Sequence, residues 1–281
     1  MIRSLLYVPG SSPKFIAKAH ERGADAVIVD LEDAVAPSEK TSAREALPET
    51  VRSVGRNGAM TFVRVNNSDD RLLPDAAAAC RAGADGLYVP KVTSPGLLDA
   101  IARHIAPIEV ELGRKPMVFV PLIEDPGSVF DARPIAGHER VLAISAGAED
   151  LATAMGALPT PEVLKLPKQL IHMAAKAAGV LSFGLLRTVA DYSDVEGMRV
   201  AVREARDFGF DGASCIHPSV VAILNEAFAP SEAEIAWARK VVAANAEAAA
   251  AGTGAFTLDG RFVDAPVVTR AEAVIALSKR L

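Results

Sequence analysis

Cysteine is nearly absent. Cys80 and Cys215 are the only two in 281 residues. They stand far apart, so neither zinc-ligand nor redox spacing exists, and reduced thiols in a cytoplasmic protein are expected. Aromatic residues make up 5% of the chain, which leaves the core to Ala, Val, Leu and Ile. No basic block interleaved with aromatics occurs, and the net charge is −5 with a sequence pI of about 5.6. Both facts argue against a nucleic-acid partner. No run of 18 apolar residues is present, so no membrane span is expected. Met1-Ile2-Arg3 leads straight into "SLLYVPG", and no signal peptide is expected. Neither G-x-G-x-x-G nor G-x-x-x-x-G-K-[ST] follows any apolar run, which weakens nucleotide-binding readings.

What is there is apolar and periodic. Half the residues are hydrophobic, enough for one large domain or two smaller ones. Eight β-rich runs recur: "LLYVP" (5–9), "AVIVDL" (26–31), "TFVRVN" (61–66), "GLYVPKV" (86–92), "MVFVPLIE" (117–124), "VLAISA" (141–146), "LSFGLL" (181–186) and "GASCIH" (212–217). Most lack polar alternation, as expected of strands covered on both faces. Helical segments fit between them at 13–22, 38–55, 70–82, 95–113, 128–138, 165–179 and 193–208. Eight strands alternating with helices predict an α/β fold, a (β/α)8 TIM barrel, over residues 1–229. An open doubly wound sheet is the alternative. From 230 to 281 the pattern changes to helix, hairpin around Asp259-Gly260, and helix, a C-terminal extension packing on the barrel or on a neighbouring subunit.

A phrase recurs at three joints: "ERGADAVIVD", "RAGADGLYVP" and "DFGFDGASCI". Each ends a helix with a Gly, suited to a left-handed turn, and has an Asp two residues on, just before a strand.

In such a barrel the active site lies at the C-terminal strand ends. Strand 2 ends in Asp30, Glu32 and Asp33, strand 3 in Arg64 and Asn66, strand 4 in Lys91, strand 5 in Glu124 and Asp125, strand 6 in "GAED" with Glu149 and Asp150, and strand 8 in His217. Each has an ordinary explanation. An Asp after a strand often caps a helix or forms a turn, Arg64 can be a buried ion-pair partner, and His217 before Pro218 can be a positioned loop residue. Along an extended strand, Asp30 and Glu32 point one way and Asp33 the other. Yet acids recur at one end of the barrel around one Arg. An all-oxygen cluster suits a hard cation. Mg²⁺ is commonly held by one or two carboxylates with water and substrate oxygens, and Arg64 can grip a carboxylate bidentately. Chemistry on a small oxo-acid is the expectation.

The phrases "RSLLYVPG", "DAVIVDLEDAV", "FVRVN", "VPKV", "PLIEDPGSV", "GAEDLATAMG", "GASCIHPSVV" and "DGRFVDAPVV", in this order over nearly the whole chain, resemble the citrate lyase β-subunit and acyl-CoA lyase group of the HpcH/HpaI aldolase/citrate lyase family. The resemblance implies a (β/α)8 barrel with a C-terminal extension, assembled as a homotrimer or hexamer. It implies a Mg²⁺-dependent carbon–carbon lyase that cleaves a 3-hydroxy-3-carboxyacyl-CoA to an acyl-CoA and an oxo-acid such as oxaloacetate, pyruvate or glyoxylate. Glu124 and Asp150 match the metal ligands. Arg64 matches the oxo-acid-binding arginine. Asp30, Glu32 and Asp33 line the pocket as supports of metal-bound water, and Glu124 also borders the substrate. Asp264 matches the acid that reaches a neighbouring subunit's site for proton transfer. Arg64, Asp264 and Glu32 are thus the candidate catalytic residues, and Lys14, Lys18, Lys40 and Arg44 are candidates for the CoA phosphates. A Schiff base on Lys91 is not expected. An aldolase on free hydroxy-oxo-acids, and a subunit active only within a citrate lyase complex, are the alternatives. The chain departs from common family phrases at Ser11-Ser12, Asp125, Ser214-Cys215 and Val220, which bears on CoA contacts and substrate choice.

Overall fold

The computed structural model describes residues 1–186 and 193–279. They fall into two compact units, Ile2–Asn225 and Glu226 onward. Among the described residues no helix is long and apolar enough to cross a membrane.

The first unit is a barrel of eight parallel strands: β1 (Ser4–Pro9), β2 (Ala26–Asp30), β3 (Met60–Arg64), β4 (Gly86–Val89), β5 (Val118–Ile123), β6 (Ala143–Ala146), β7 (Leu181–Phe183) and β8 (Ala213–Cys215). Sequential strands pair, β1 also pairs with β8, and a bridge between Phe183 and Gly212 joins β7 to the entry of β8. All eight expected strands are present. Alternate residues fill the barrel interior, among them Leu5, Ile28, Phe62, Tyr88, Val120 and Phe183. The residues between them, such as Val27, Val29, Leu87 and Val89, are equally buried, so both strand faces are covered and the runs read as continuously apolar.

Around the barrel run α1 (Pro13–Ala19), α2 (Lys40–Glu45), α3 (Leu47–Val54), α4 (Leu72–Ala82), α5 (Pro95–Glu111), α6 (Pro126–Phe130), α7 (Ala132–Ala136), α8 (Ala148–Ala154), α9 (Pro161–Ala178), α10 (Val195–Asp207) and α11 (Ser219–Phe228). Two expected helices are each broken in two. The segment 38–55 divides at Ala46, where Pro48 begins a new first turn. The segment 128–138 divides at Asp131 into two short helices.

The three recurring phrases work as pairs of devices. Gly23, Gly83 and Gly209 all have positive φ, as the helix-ending turn requires. The Asp that follows ties two strand entries together. Asp25 accepts the Arg3 N–H at 2.7 Å, Asp85 that of Thr61 at 2.7 Å, and Asp211 that of Ser182 at 2.8 Å. β1 is thereby fastened to β2, β3 to β4 and β7 to β8, at the end of the barrel away from the candidate site. Burial pushes the Asp25 carboxyl up, but hydrogen bonds from Arg3 outweigh that and hold it below the usual range.

The second unit contains α12 (Glu232–Ala250), the hairpin β9 (Phe256–Leu258) and β10 (Arg261–Val263), and α13 (Ala265–Ser278). Ser231 and Glu234 form a capping box at the start of α12. Asp259 and Gly260 turn the hairpin, both at positive φ. Ala238, Val241, Val263, Val268 and Ala271 form a small core of its own.

Candidate active site

A cavity of about 450 Å³ opens at the C-terminal strand ends and is lined by Tyr7, Asp30, Asp33, Arg64, Glu124, Ser145, Gly147, Glu149, Asp150, Lys168 and Ser214, with apolar neighbours. Strand order explains the gathering. Parallel strands deliver every C-terminal end to one rim, so residues far apart in sequence meet there.

Arg64 organises one wall. Its Nε donates to Asp30 Oδ1 at 2.7 Å and its Nη2 to Asp30 Oδ2 at 2.6 Å, a bidentate pair. Its Nη1 lies 3.0 Å from Glu32 Oε2 and 3.3 Å from Asp33 Oδ2. The guanidinium sits 5.1 Å from the centre of the Tyr7 ring. Burial works against the Arg64 charge, but the Asp30 hydrogen bonds outweigh it and raise the group further above its ordinary value. Burial pushes the Tyr7 hydroxyl up as well.

This corrects the expected geometry of the acids. β2 ends at Asp30 and the chain then turns, with Glu32 N–H and Ala34 N–H donating to the Asp30 carboxylate. The turn brings Asp33 back to Arg64 instead of sending it to the other face. The charges of "DLED" are therefore offset first by Arg64, and by Lys91, whose Nζ lies 3.3 Å from Glu32 Oε1. Burial raises the Glu32 carboxyl, with Arg64 opposing the shift.

Glu124 is buried at the end of β5. Its Oε2 accepts the Lys91 N–H at 2.9 Å, in a turn where Lys91 takes positive φ. Burial, with Glu32 and Asp150 adding like charge, pushes the Glu124 carboxyl up to about 8. The charge of Asp150, in the first turn of α8, bears on Glu124. Gly147 makes the seat: a Cβ there would lie 2.5 Å from Glu124 Cγ. Its φ of −81° is ordinary, so the requirement is for space alone.

The donor set fits a hard cation. Of the carboxylates that border the cavity, Glu124 is buried beside the further negative charge of Glu32 and Asp150, which is the electrostatic situation a divalent cation relieves. Among the described residues no three or more His, Cys, Asp or Glu side chains form a closed metal cage.

The other expected residues sort themselves plainly. Lys40 Nζ donates to Leu31 O at 3.0 Å, Glu32 O at 2.7 Å and Asn66 Oδ1 at 2.5 Å. Two of these bonds hold the Asp30–Ala34 turn and the third ties the lysine to Asn66. Arg44 pairs with buried Asp75 at 3.3 Å. Each of these two cations of the expected CoA set is thus engaged by the fold. Lys14 and Lys18 stand exposed on α1. Asp125 caps α6 through Gly127 N–H and Ser128 N–H, and His217 Nδ1 contacts Ser219 Oγ at 2.7 Å. Asp264, in the second unit, is the N-cap of α13 and accepts the Val267 N–H. Lys91 has its ammonium pKa raised, burial opposing but Glu32 prevailing, which suits a charged ion-pair partner and not an amine nucleophile.

Cavity residues that the sequence does not single out are Tyr7, Ser145, Gly147 and Lys168. Lys168 carried a usable signal. Leu164, Lys168, Ile171 and Ala175 are the buried positions of α9, so this lysine interrupts an apolar stripe.

Residues 3–218 match the family described as HpcH/HpaI aldolase/citrate lyase. The chain is 34% identical over 282 residues to the citrate lyase subunit beta of Leuconostoc mesenteroides subsp. cremoris, covering 98% of this chain and 93% of that one. It is 33% identical over 287 residues to a (3S)-malyl-CoA thioesterase of Cereibacter sphaeroides, covering 99% and 95%. Among solved structures it resembles CitE from Mycobacterium tuberculosis in complex with magnesium, acetoacetate and coenzyme A, with a TM-score of 0.79, 31% identity, and coverage of 98% and 97%. The chain belongs to the HpcH/HpaI aldolase/citrate lyase family.

Proposed function

We propose that the protein is a magnesium-dependent carbon–carbon lyase that cleaves a 3-hydroxy-3-carboxyacyl-CoA thioester of the citryl-, citramalyl- or malyl-CoA type. The products are an oxo-acid (oxaloacetate, pyruvate or glyoxylate) and an acyl-CoA. The observation that carries the reading is the meeting, in one cavity, of the Glu124 and Asp150 carboxylates with the Arg64 guanidinium. Similarity to a CitE structure holding magnesium, acetoacetate and coenzyme A, and to another complexed with oxaloacetate and magnesium, supports it.

Glu124 and Asp150 would hold the ion. When bound, Mg²⁺ supplies Lewis-acid polarisation of the substrate's oxygens. The protein's own residues do the rest. Arg64, fixed by Asp30 on one edge, offers its Nη side to the substrate carboxylate. Asp33 is the partner to be displaced, because its side chain is 64% exposed and its contact with Arg64 is the longest. Glu32, held between Arg64 and Lys91, orients water and substrate hydroxyl. A base removes the hydroxyl proton, the bond between the hydroxy carbon and the thioester α-carbon breaks, and its electron pair passes into the thioester enolate, which takes up a proton. Asp264 from a neighbouring chain of a trimer serves as that proton-transfer group. Residues 1–229 act as the catalytic domain and 230–281 as the extension that carries Asp264. Lys14 and Lys18 meet the CoA phosphates, and the enzyme works in the cytoplasm.

The experiment is cleavage of the three ester types by the wild type, Glu124→Ala and Asp150→Ala, with Mg²⁺. Both variants should lose turnover while keeping the wild-type circular dichroism spectrum. Unchanged turnover in either defeats the assignment. The similarity to a thioesterase favours one second reading, hydrolysis of the thioester itself. That reaction releases free CoA and a hydroxy acid, whereas the lyase releases acyl-CoA and an oxo-acid, so product identification separates the two.

A further inference from the structure

Among the described residues of the barrel unit, Lys91 is the one non-glycine residue with a left-handed backbone, at a φ of 52°. Such a conformation is uncommon outside glycine and persists where the surroundings impose it. Here they do. Asn67 Nδ2 donates to the carbonyls of Pro90 at 2.9 Å and Lys91 at 3.2 Å, and the Val92 N–H donates to Leu122 O at 3.3 Å. The turn after β4 is thereby tied to the loop after β3 and to β5.

The turn aims the Lys91 N–H at Glu124 Oε2, 2.9 Å away. Glu124 Oε1 accepts no hydrogen bond among the described residues and lies beside Gly147. The two oxygens of this carboxylate are therefore unequal: the backbone holds one, and the other is left for a cation. The Lys91 ammonium goes elsewhere, to Glu32 Oε1 at 3.3 Å. Main chain and side chain of one residue thus serve two different acids.

That inequality bears on the choice of cation. Mg²⁺ takes a near-ideal octahedron, which single carboxylate oxygens and water can supply. Ca²⁺ takes six to eight oxygens and often gains the extra ones by gripping a carboxylate through both. With Oε2 held, a cation between Glu124 and Asp150 meets three of their carboxylate oxygens at most.

We infer that Lys91 is a positioning residue whose left-handed backbone restricts Glu124 to one ligating oxygen, so that the site favours Mg²⁺ over Ca²⁺. The inference rests on Glu124 being a metal ligand, as in the lyase reading above, and gives a physical reason for the choice of metal.

Displacement of Mn²⁺ from the full chain, followed by electron paramagnetic resonance, tests it. In the wild type Mg²⁺ should displace Mn²⁺ at a concentration at least tenfold lower than Ca²⁺ does. Lys91→Ile introduces a β-branched residue that avoids positive φ. It should bring the two cations within threefold, chiefly by strengthening Ca²⁺. Lys91→Asn accepts positive φ and should keep at least a fivefold preference, although it loses the Glu32 contact just as Lys91→Ile does. Equal displacement by the two cations in the wild type would overturn the inference whether or not a variant folds. So would an equal loss of preference in both variants, which would place the effect in the ammonium, or a parallel weakening of both cations in Lys91→Ile. Ester cleavage is scored separately. A preference that collapses only in Lys91→Ile, with no ester cleaved by the wild type, would defeat the lyase reading and leave Lys91 as assigned; cleavage with a preference untouched by Lys91→Ile would do the reverse.

Discussion

Gly147 and Glu124 occupy adjoining space that a single methyl group would close. A Cβ on the glycine would overlap the carboxyl end of the glutamate side chain. Gly147→Ala should therefore move the Glu124 carboxylate while leaving the barrel intact. Turnover with Mg²⁺ should fall at least 100-fold, on the scale of about 2.7 kcal/mol. Mn²⁺ affinity read by electron paramagnetic resonance should fall with it, and the circular dichroism spectrum should not change. Wild-type Mn²⁺ binding in the variant would show that the close approach does not matter.

Arg64→Lys keeps a positive charge and loses the planar fork. The bidentate bond to Asp30 and the contacts to Glu32 and Asp33 cannot all be made by one ammonium. Oxo-acid binding in the presence of Mg²⁺ should weaken at least 30-fold by calorimetry. Affinity within threefold of wild type would contradict the role given to the guanidinium.

Lys40→Met tests whether this lysine holds the chain or a phosphate. Loss of three hydrogen bonds to Leu31 O, Glu32 O and Asn66 Oδ1 should lower stability by about 2–4 kcal/mol in urea unfolding. Affinity for free CoA should stay within threefold of wild type. A variant of unchanged stability that binds CoA poorly would reverse the assignment.

Lys168 gives a pH dependence with a definite sign. Its folded pKa, about 7, lies below the ordinary lysine value of 10.5. The unfolded chain therefore holds this proton longer, and stability contributed through Lys168 rises as pH increases from about 7 to 10.5, by at most about 1.4 kcal/mol per pH unit. Urea unfolding of wild type and Lys168→Met across that range should show the wild type gaining on the variant as pH rises. A constant difference would contradict the burial-depressed value.

The barrel was legible because its strands are runs of Val, Ile and Leu closed by turn residues, and because parallel order leaves few ways to connect them. The glycines of the three recurring phrases were legible for the same local reason. The aspartates beside them were not: Asp25, Asp85 and Asp211 act on N–H groups of a neighbouring strand more than twenty residues away. The "DLED" acids drew notice as a charge cluster, but their partner Arg64 lies 34 residues beyond Asp30, and where Asp33 points depends on a turn that strand periodicity does not describe. Lys40 and Arg44 looked like exposed helix cations, since nothing local shows that Asn66 and Asp75 meet them. Lys168 is the reverse case. Its place on an apolar stripe was visible along α9, but its arrival in the cavity depends on how that helix packs beside β7.

The central claim is a carboxylate-held Mg²⁺ serving a CoA-ester lyase, and removal of the ion tests it most directly. The wild type, freed of metal with EDTA and dialysed, is assayed for oxo-acid release from citryl-, citramalyl- and malyl-CoA before and after Mg²⁺ is restored. Loss of at least 100-fold in cleavage of the preferred ester, recovered on adding Mg²⁺, is the predicted result. Cleavage that proceeds equally well in EDTA would contradict the account.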